Sequence, residues 1–179
     1  MITVSKTIKL SPIKNQDQAL PEKLMWHIYP PPYKHMWENE DCTWYINRFY
    51  SQQALDIDLA QPNSHYYFIE YQEQLVGIFR IQFNTQMASY TNKTGTFIDR
   101  IYLNNMTQGK GVAATLFKWL ENEAKQADDS FVWLKAMDSQ EQALKFYTKQ
   151  GMQTVGTSTY PAELLLKPLR GMLVMSKLI

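Results

Sequence analysis

Between Tyr102 and Ala113 the chain reads YLNNMTQGKGVA, and Gln108, Gly109 and Gly111 in it have the types and spacing to hold an anion. An apolar strand runs through a glycine-bearing turn into an amphipathic helix. Glycine lets the backbone approach a ligand closely, and the unpaired amides of a helix's first turn, at the positive end of its dipole, attract negative charge. Phosphate suits such a turn. Gln108, Gly111 and Ala113 spell QxxGxA. Neither nucleotide fingerprint fits well, because GxGxxG lacks its third glycine and the Walker pattern needs Gly-Lys-Ser/Thr after four residues. Another phosphate-bearing ligand is therefore indicated.

The elements around this turn can be read from periodicity. Residues 2–10 alternate as a first strand closed by Ser11-Pro12, and Leu20, Leu24 and Ile28 share one face of a helix begun near Asp17 and stopped by Pro30-Pro31-Pro32. A second helix starts near Asp41, with Trp44, Tyr45, Phe49 and Ala54 at helical spacing, and leaves through Gln61-Pro62-Asn63-Ser64. The period then becomes two: residues 66–71 and 75–83 form a hairpin across Gln72-Glu73-Gln74, and after a polar loop over residues 84–93 a third long strand spans 96–103. A helix from Gly109 to about Gln126 buries Val112, Ala113, Leu116, Leu120 and Ala124. A short strand at 131–134 follows, then a helix over 140–150 with a Ser139/Gln142 capping box and a Gly151 stop, and strands at about 152–159 and 172–178. The result is an α/β (α+β) pattern, a mixed sheet with helices on it, in one domain over residues 1–179.

At 179 residues, with 45% hydrophobic residues, the chain can bury one core, and its formal charge of +1 without a Lys/Arg run argues against nucleic acid or anionic membrane as partner. Cys42 is the single cysteine and the start MITVSKTIKL has no signal-peptide pattern, so a reducing cytoplasm is expected. His27, His35 and His65 lack metal-ligand spacing, so no metal is expected. Pro30-Pro31-Pro32-Tyr33 spells the PPxY ligand of WW modules, which a helix-ending loop explains equally well.

Two stretches, Gln108 to Ala113 and the AxxFYxKxG run of Ala143, Phe146, Tyr147, Lys149 and Gly151, resemble the consecutive motifs of the GCN5-related N-acetyltransferase (GNAT) superfamily. The similarity extends over nearly the whole chain, and residues 97–103, FIDRIYL, are similar to the strand of the small-amine branch, including polyamine enzymes of the PaiA type. The resemblance implies a single GNAT domain with a mixed sheet of about seven strands and about four helices. It also implies acetyl-CoA as co-substrate, and transfer of its acetyl group by direct attack of a small-molecule amine in a ternary complex.

By the same resemblance, Gln108, Gly109, Lys110, Gly111, Val112 and Ala113 hold the pyrophosphate of CoA, and the backbone of Ile101, Tyr102 and Leu103 meets the pantetheine and thioester. Tyr147 is the general acid, and a phenol of pKa about 10 is reasonably matched to a thiolate of about 8.5. Phe146 and Lys149 belong to the same cofactor motif, while Gln140 stands where relatives carry Asn. Asp99 matches an acidic position, where it can be base, substrate anchor or ion-pair partner of Arg100; Glu70 is a second carboxylate candidate, with the solvent face of its strand as the alternative. Trp26, Tyr29, Tyr33 and Trp37 are expected to border the acceptor. A homodimer is compatible with the sequence. A non-catalytic acyl-CoA-binding module, or an acetyltransferase acting on an amino acid or a peptide N-terminus, stays open at this stage.

Overall fold

Ser5 is the first departure from the sequence periodicity. Its Oγ accepts from the amides of Thr7 and Ile8 (3.3 and 3.1 Å), folding the expected first strand back on itself as β1 (Ile2–Thr3) and β2 (Ile8–Pro12). The structure, a computed structural model, describes residues 1–17 and 19–179. Helix α1 (Ala19–Ile28) buries Pro21, Met25 and Ile28, whereas Leu20 is exposed. Helix α1 ends before the proline run, as expected, but residues Pro30–Tyr33 form the short α2, because proline's fixed φ suits a first turn whose N–H groups lack partners anyway. The expected helix from Asp41 is two helices, α3 (Thr43–Tyr50) and α4 (Gln52–Ala60). They break at Ser51, which takes an extended conformation and caps α4 by accepting from the Ala54 amide.

The central hairpin follows its alternation. Strands β3 (Ser64–Tyr71) and β4 (Gln74–Thr85) are joined at Gln72 and Glu73, both at positive φ (50° and 64°), as a two-residue hairpin loop requires. Then come β5 (Gly95–Leu103), α5 (Val112–Gln126), β6 (Phe131–Met137), α6 (Glu141–Lys149), β7 (Gln153–Thr159) and β8 (Gly171–Leu178). Helix α5 starts three residues later than expected, since Gly111 takes the left-handed conformation (φ 74°). Gln140, not Ser139, precedes α6, and no side chain caps it; the buried Ser139 hydroxyl has no partner among the described residues.

The eight strands make one sheet in the order β1-β2-β3-β4-β5-β6-β8-β7. Every neighbouring pair is antiparallel except β5 and β6, whose parallel connection is α5. Both faces are covered. Leu116, Phe117 and Leu120 of α5 pack with Ile69, Phe79 and Ile81 on one; Met25, Tyr45, Ile46 and Leu55 of the N-terminal helices pack with Phe68 and Ile78 on the other. This is a mixed α/β single-domain fold with six helices among the described residues, none long and apolar enough to cross a membrane.

One irregularity positions everything that follows. In the β4–β5 ladder Arg80 faces Arg100 and Ile81 faces Ile98, leaving Asp99 as an extra residue, a β-bulge. Parallel pairing of β5 with β6 covers Gly95–Ile98 and Phe131–Leu134 and ends at that bulge. Beyond it, β5 continues to Leu103 and β6 to Met137 without pairing to each other.

Gly77 of β4 lies beside this unpaired run, and a Cβ there would sit 2.2 Å from the Tyr102 carbonyl oxygen. Backbone cannot yield as a side chain does, so Gly77→Ala is expected to destabilise the fold by about 2 kcal/mol, within the usual range for overpacking. Urea unfolding would show this as a lower midpoint at unchanged slope.

Candidate functional site

The gap between β5 and β6 opens into a cleft of about 450 Å³. Residues 97–102 of β5 form one wall and residues 134–137 of β6 another. Gln140, just before α6, and Ala143 and Tyr147 of α6 border it, as do Tyr29, Tyr33, Trp37, Tyr45 and Phe49 of the N-terminal region and residues 158–161 at the end of β7 and just beyond it.

At its base lie four charges. The bulge puts the consecutive residues Asp99 and Arg100 in reach of the same partners, where a regular strand would aim them to opposite faces. Asp58 of α4 is ion-paired with Arg100 and with Arg80 (3.3 Å for the latter); Asp99 pairs with Arg80 and, at 3.4 Å, with Arg100 Nε. Arg80 also donates to Gln61 Oε1 at 2.8 Å. Arg100 lies over the rings of Phe49, Tyr50 and Tyr66, 5.0 to 5.9 Å from their centroids. Two carboxylates and two guanidiniums thus balance in a group that is buried except for half-buried Asp99.

Above them is a tyrosine cluster. Tyr29 stacks on Tyr33 (4.6 Å between centroids) and on Tyr45 (4.0 Å), its hydroxyl accepts from Trp37 Nε1 at 3.1 Å, and the Tyr45 and Tyr102 hydroxyls share a hydrogen bond of 2.6 Å. Burial pushes the phenol of Tyr33 up to about 12 and those of Tyr29, Tyr45 and Tyr102 up as well. They stay neutral donors and ring surfaces. Tyr147, packed against Phe117 (5.8 Å), is likewise raised by burial.

Past the unpaired part of β5 the chain enters the glycine turn. Gly109 and Gly111 sit at φ 71° and 74°, and nothing lies within 4 Å of where either Cβ would be. Glycine is required here by backbone conformation rather than by crowding. The amides of Gly109, Gly111, Val112, Ala113 and Ala114 donate to no backbone acceptor among the described residues, leaving donors for an anion at the head of a fifteen-residue helix. Lys110 is exposed, its ammonium 5.9 Å from the Tyr71 ring centroid.

The structure brings Tyr147, Asp99, Ile101, Tyr102, Gln140, Tyr29, Tyr33 and Trp37 to one cleft. Leu103 and the Gln108 to Ala113 turn continue β5 beyond it. Glu70 lies outside the cleft, as its alternative had it: on β3, opposite Lys9 of β2, it accepts from Ser11 Oγ at 2.5 Å and borders a separate shallow depression with Lys6 and Lys9. Trp26 is 39% exposed and does not line the cleft, because α1 turns Met25 inward instead. Lys149 is exposed at the end of α6, and Phe146 packs edge-on against Phe117 in the core. Gln140 reaches Met36 Sδ (3.3 Å). Asp99 has its carboxylate occupied by two guanidiniums, the ion-pair alternative of the three. The PPxY tyrosine is in a helical turn and lines the cleft, which leaves it unsuited to a WW module that reads extended chain. Cys42 is buried, its thiol pushed up to about 11, and is a packing residue.

Asp58, Arg80, Tyr45 and Tyr160 were not singled out by sequence reasoning. A signal existed for Arg80: a charge inside the apolar run LVGIFRIQF must find a partner if the strand is buried on both faces.

Comparison with known proteins agrees with this geometry. The acetyltransferase (GNAT) family model matches residues 22–152. An uncharacterized N-acetyltransferase encoded in the pepI 3′ region of Lactobacillus delbrueckii subsp. lactis is 25% identical over 113 residues, which is 63% of this chain and 65% of that relative. The match thus spans just under two thirds of the relative's length. Among solved structures, the PaiA N-acetyltransferase of Thermoplasma acidophilum in complex with coenzyme A superposes with a TM-score of 0.72 at 15% identity, covering 97% of this chain and 99% of that one. The RimL ribosomal L7/L12 alpha-N-protein acetyltransferase in complex with coenzyme A gives 0.72 at 16% identity, over 99% and 97% of the two chains. These structural likenesses concern the fold.

Removing one member of the ion group leaves the others uncompensated. Asp58→Ala is expected to cost about 3–5 kcal/mol of stability in denaturant unfolding, well beyond a surface carboxylate of α4 such as Asp56.

Proposed function

The chain belongs to the acetyltransferase (GNAT) family, and from that premise we propose that it transfers the acetyl group of acetyl-CoA to the primary amine of a small molecule. The observation that carries this reading is the stretch of β5 left unpaired by β6, which leads from the cleft beside Tyr147 to the glycine turn. A donor with a pyrophosphate at one end and an amide-bearing arm ending in a thioester matches that succession. Free amides of Gly109 and of residues 111–114 suit the pyrophosphate, and the open edge of β5 at residues 101–103 suits the arm.

In this reading the neutral amine attacks the thioester carbonyl carbon in a ternary complex. The new C–N bond forms, the C–S bond breaks, the nitrogen loses its proton to water at the cleft mouth, and Tyr147 Oη gives a proton to the departing thiolate and regains one from solvent. Burial holds the Tyr147 phenol above its ordinary range, so its acid form is present throughout neutral pH. Asp99, bound by Arg80 and Arg100, shapes the cleft and does not take the amine proton. A backbone N–H of the open β5 edge is the candidate to polarise the carbonyl.

Tyr147→Phe is expected to lower kcat by tens of fold or more, with donor affinity in calorimetry unchanged. For the wild type, activity should rise with pH as the acceptor deprotonates and show no decline from Tyr147 ionisation below about pH 10, since a raised pKa moves that loss upward. A wild type that releases no thiol from acetyl-CoA across a broad amine panel would defeat the proposal. Gly111→Ala places a Cβ at positive φ, costing about 1 kcal/mol, and is expected to weaken acetyl-CoA binding by about tenfold.

A further inference from the structure

We infer that the acceptor is a primary monoamine on an aromatic body, an arylalkylamine, and that polyamines are poor acceptors; this rests on the acetyltransferase reading above. Among the described residues, the charged side chains that line the cleft are Asp99, Arg100 and Lys135. Asp99 is held by Arg80 and Arg100, and Arg100 in turn by Asp58, so the single lining carboxylate is already matched. Lys135 adds a positive charge. A polyamine brings at least one ammonium beyond the reacting nitrogen. That group would shed water into a cleft with no free carboxylate to receive it, and burying an unpaired charge is strongly unfavourable. A monoamine avoids this, because its one nitrogen must be neutral to attack.

The rest of the wall is aromatic. Tyr33, Phe49, Tyr102 and Tyr160 line the cleft and are only partly buried, so ring surface remains for a ligand. Burial pushes the phenols of Tyr33 and Tyr160 up to about 12, and none of the cluster supplies an anion near neutral pH. Offset or edge-on contact with a ligand ring is what such a wall favours. The segment between β7 and β8 closes this side. Leu165 forms a bridge with Trp37, the Leu166 amide donates to Met36 O at 2.9 Å, and the Glu38 amide donates to Leu164 O at 3.0 Å. The N-terminus of a folded protein would have to part these bonds to enter from there.

The test compares kcat/KM for phenethylamine, tyramine, spermidine and a hexapeptide with a free N-terminus, reading thiol release from acetyl-CoA. Phenethylamine or tyramine should exceed both spermidine and the peptide by at least tenfold. Tyr160→Glu, which adds a free carboxylate to the wall, should shift the phenethylamine-to-spermidine ratio toward spermidine by about tenfold. Spermidine or the peptide matching the arylalkylamines in the wild type overturns the inference. Calorimetry on the CoA-saturated protein reads the same preference without turnover. Phenethylamine bound at least tenfold more tightly than spermidine, with no thiol released by any amine, would uphold this inference for the cleft and remove the acetyltransferase reading. Equal binding, or no binding of either amine, would overturn it.

Discussion

Buried Asp58, Arg80 and Arg100 and half-buried Asp99 lie together where β5 parts from β6, and the cleft depends on how their charges are satisfied. Each would be costly alone in the interior. Satisfying all four requires Asp99 and Arg100, neighbours in sequence, to share partners, and only a bulge in β5 allows it. The same bulge coincides with the end of pairing between β5 and β6. The charges therefore fix the register of the central strands, because a slip by one residue would leave guanidiniums against the apolar α5 face.

The cleft's chemical character follows from that constraint. A carboxylate at position 99 looks in isolation like a base or an anchor for a cation. In the structure it is ion-paired with Arg80 and Arg100, and the surrounding surface is set by Tyr29, Tyr33, Tyr45 and Tyr102. Their mutual stacking and hydroxyl contacts stabilise the N-terminal helices against β5. The cleft and the core between the N-terminal helices and the sheet are thus largely one packing unit. On the opposite face α5 anchors β5 and β6 through Leu116, Phe117 and Leu120, and its start supplies the free amides of the glycine turn.

Much of this was legible in the sequence where the cause is local. The hairpin at residues 64–85, the β5-turn-α5 unit and α6 follow from period and punctuation, and the glycines of the turn stand out because only glycine adopts their φ easily. Errors arose where one side chain outweighs periodicity: Ser5 splits the first strand and Ser51 splits the second helix, while the proline run, after α1 has ended as expected, opens a further short helix. The ion group was hidden for another reason. Asp58, Arg80 and Asp99 lie about twenty residues apart, and no spacing rule links α4, β4 and β5. The bulge exists only once those partners meet, so Asp99 read as three alternatives. Glu70, for which the solvent face stood as the alternative, and Trp26 lie outside the cleft; alternation or helical spacing names two faces without saying which one borders a cleft.

The central claim is that the free amides of the glycine turn and the open edge of β5 form one continuous site for acetyl-CoA. Amide hydrogen exchange of the protein with and without saturating acetyl-CoA tests it residue by residue. The account predicts protection in residues 109–114 and in residues 100–103 together, with little change in the already paired residues 95–98. Protection confined to the turn, or to neither segment while acetyl-CoA is bound elsewhere, would contradict it.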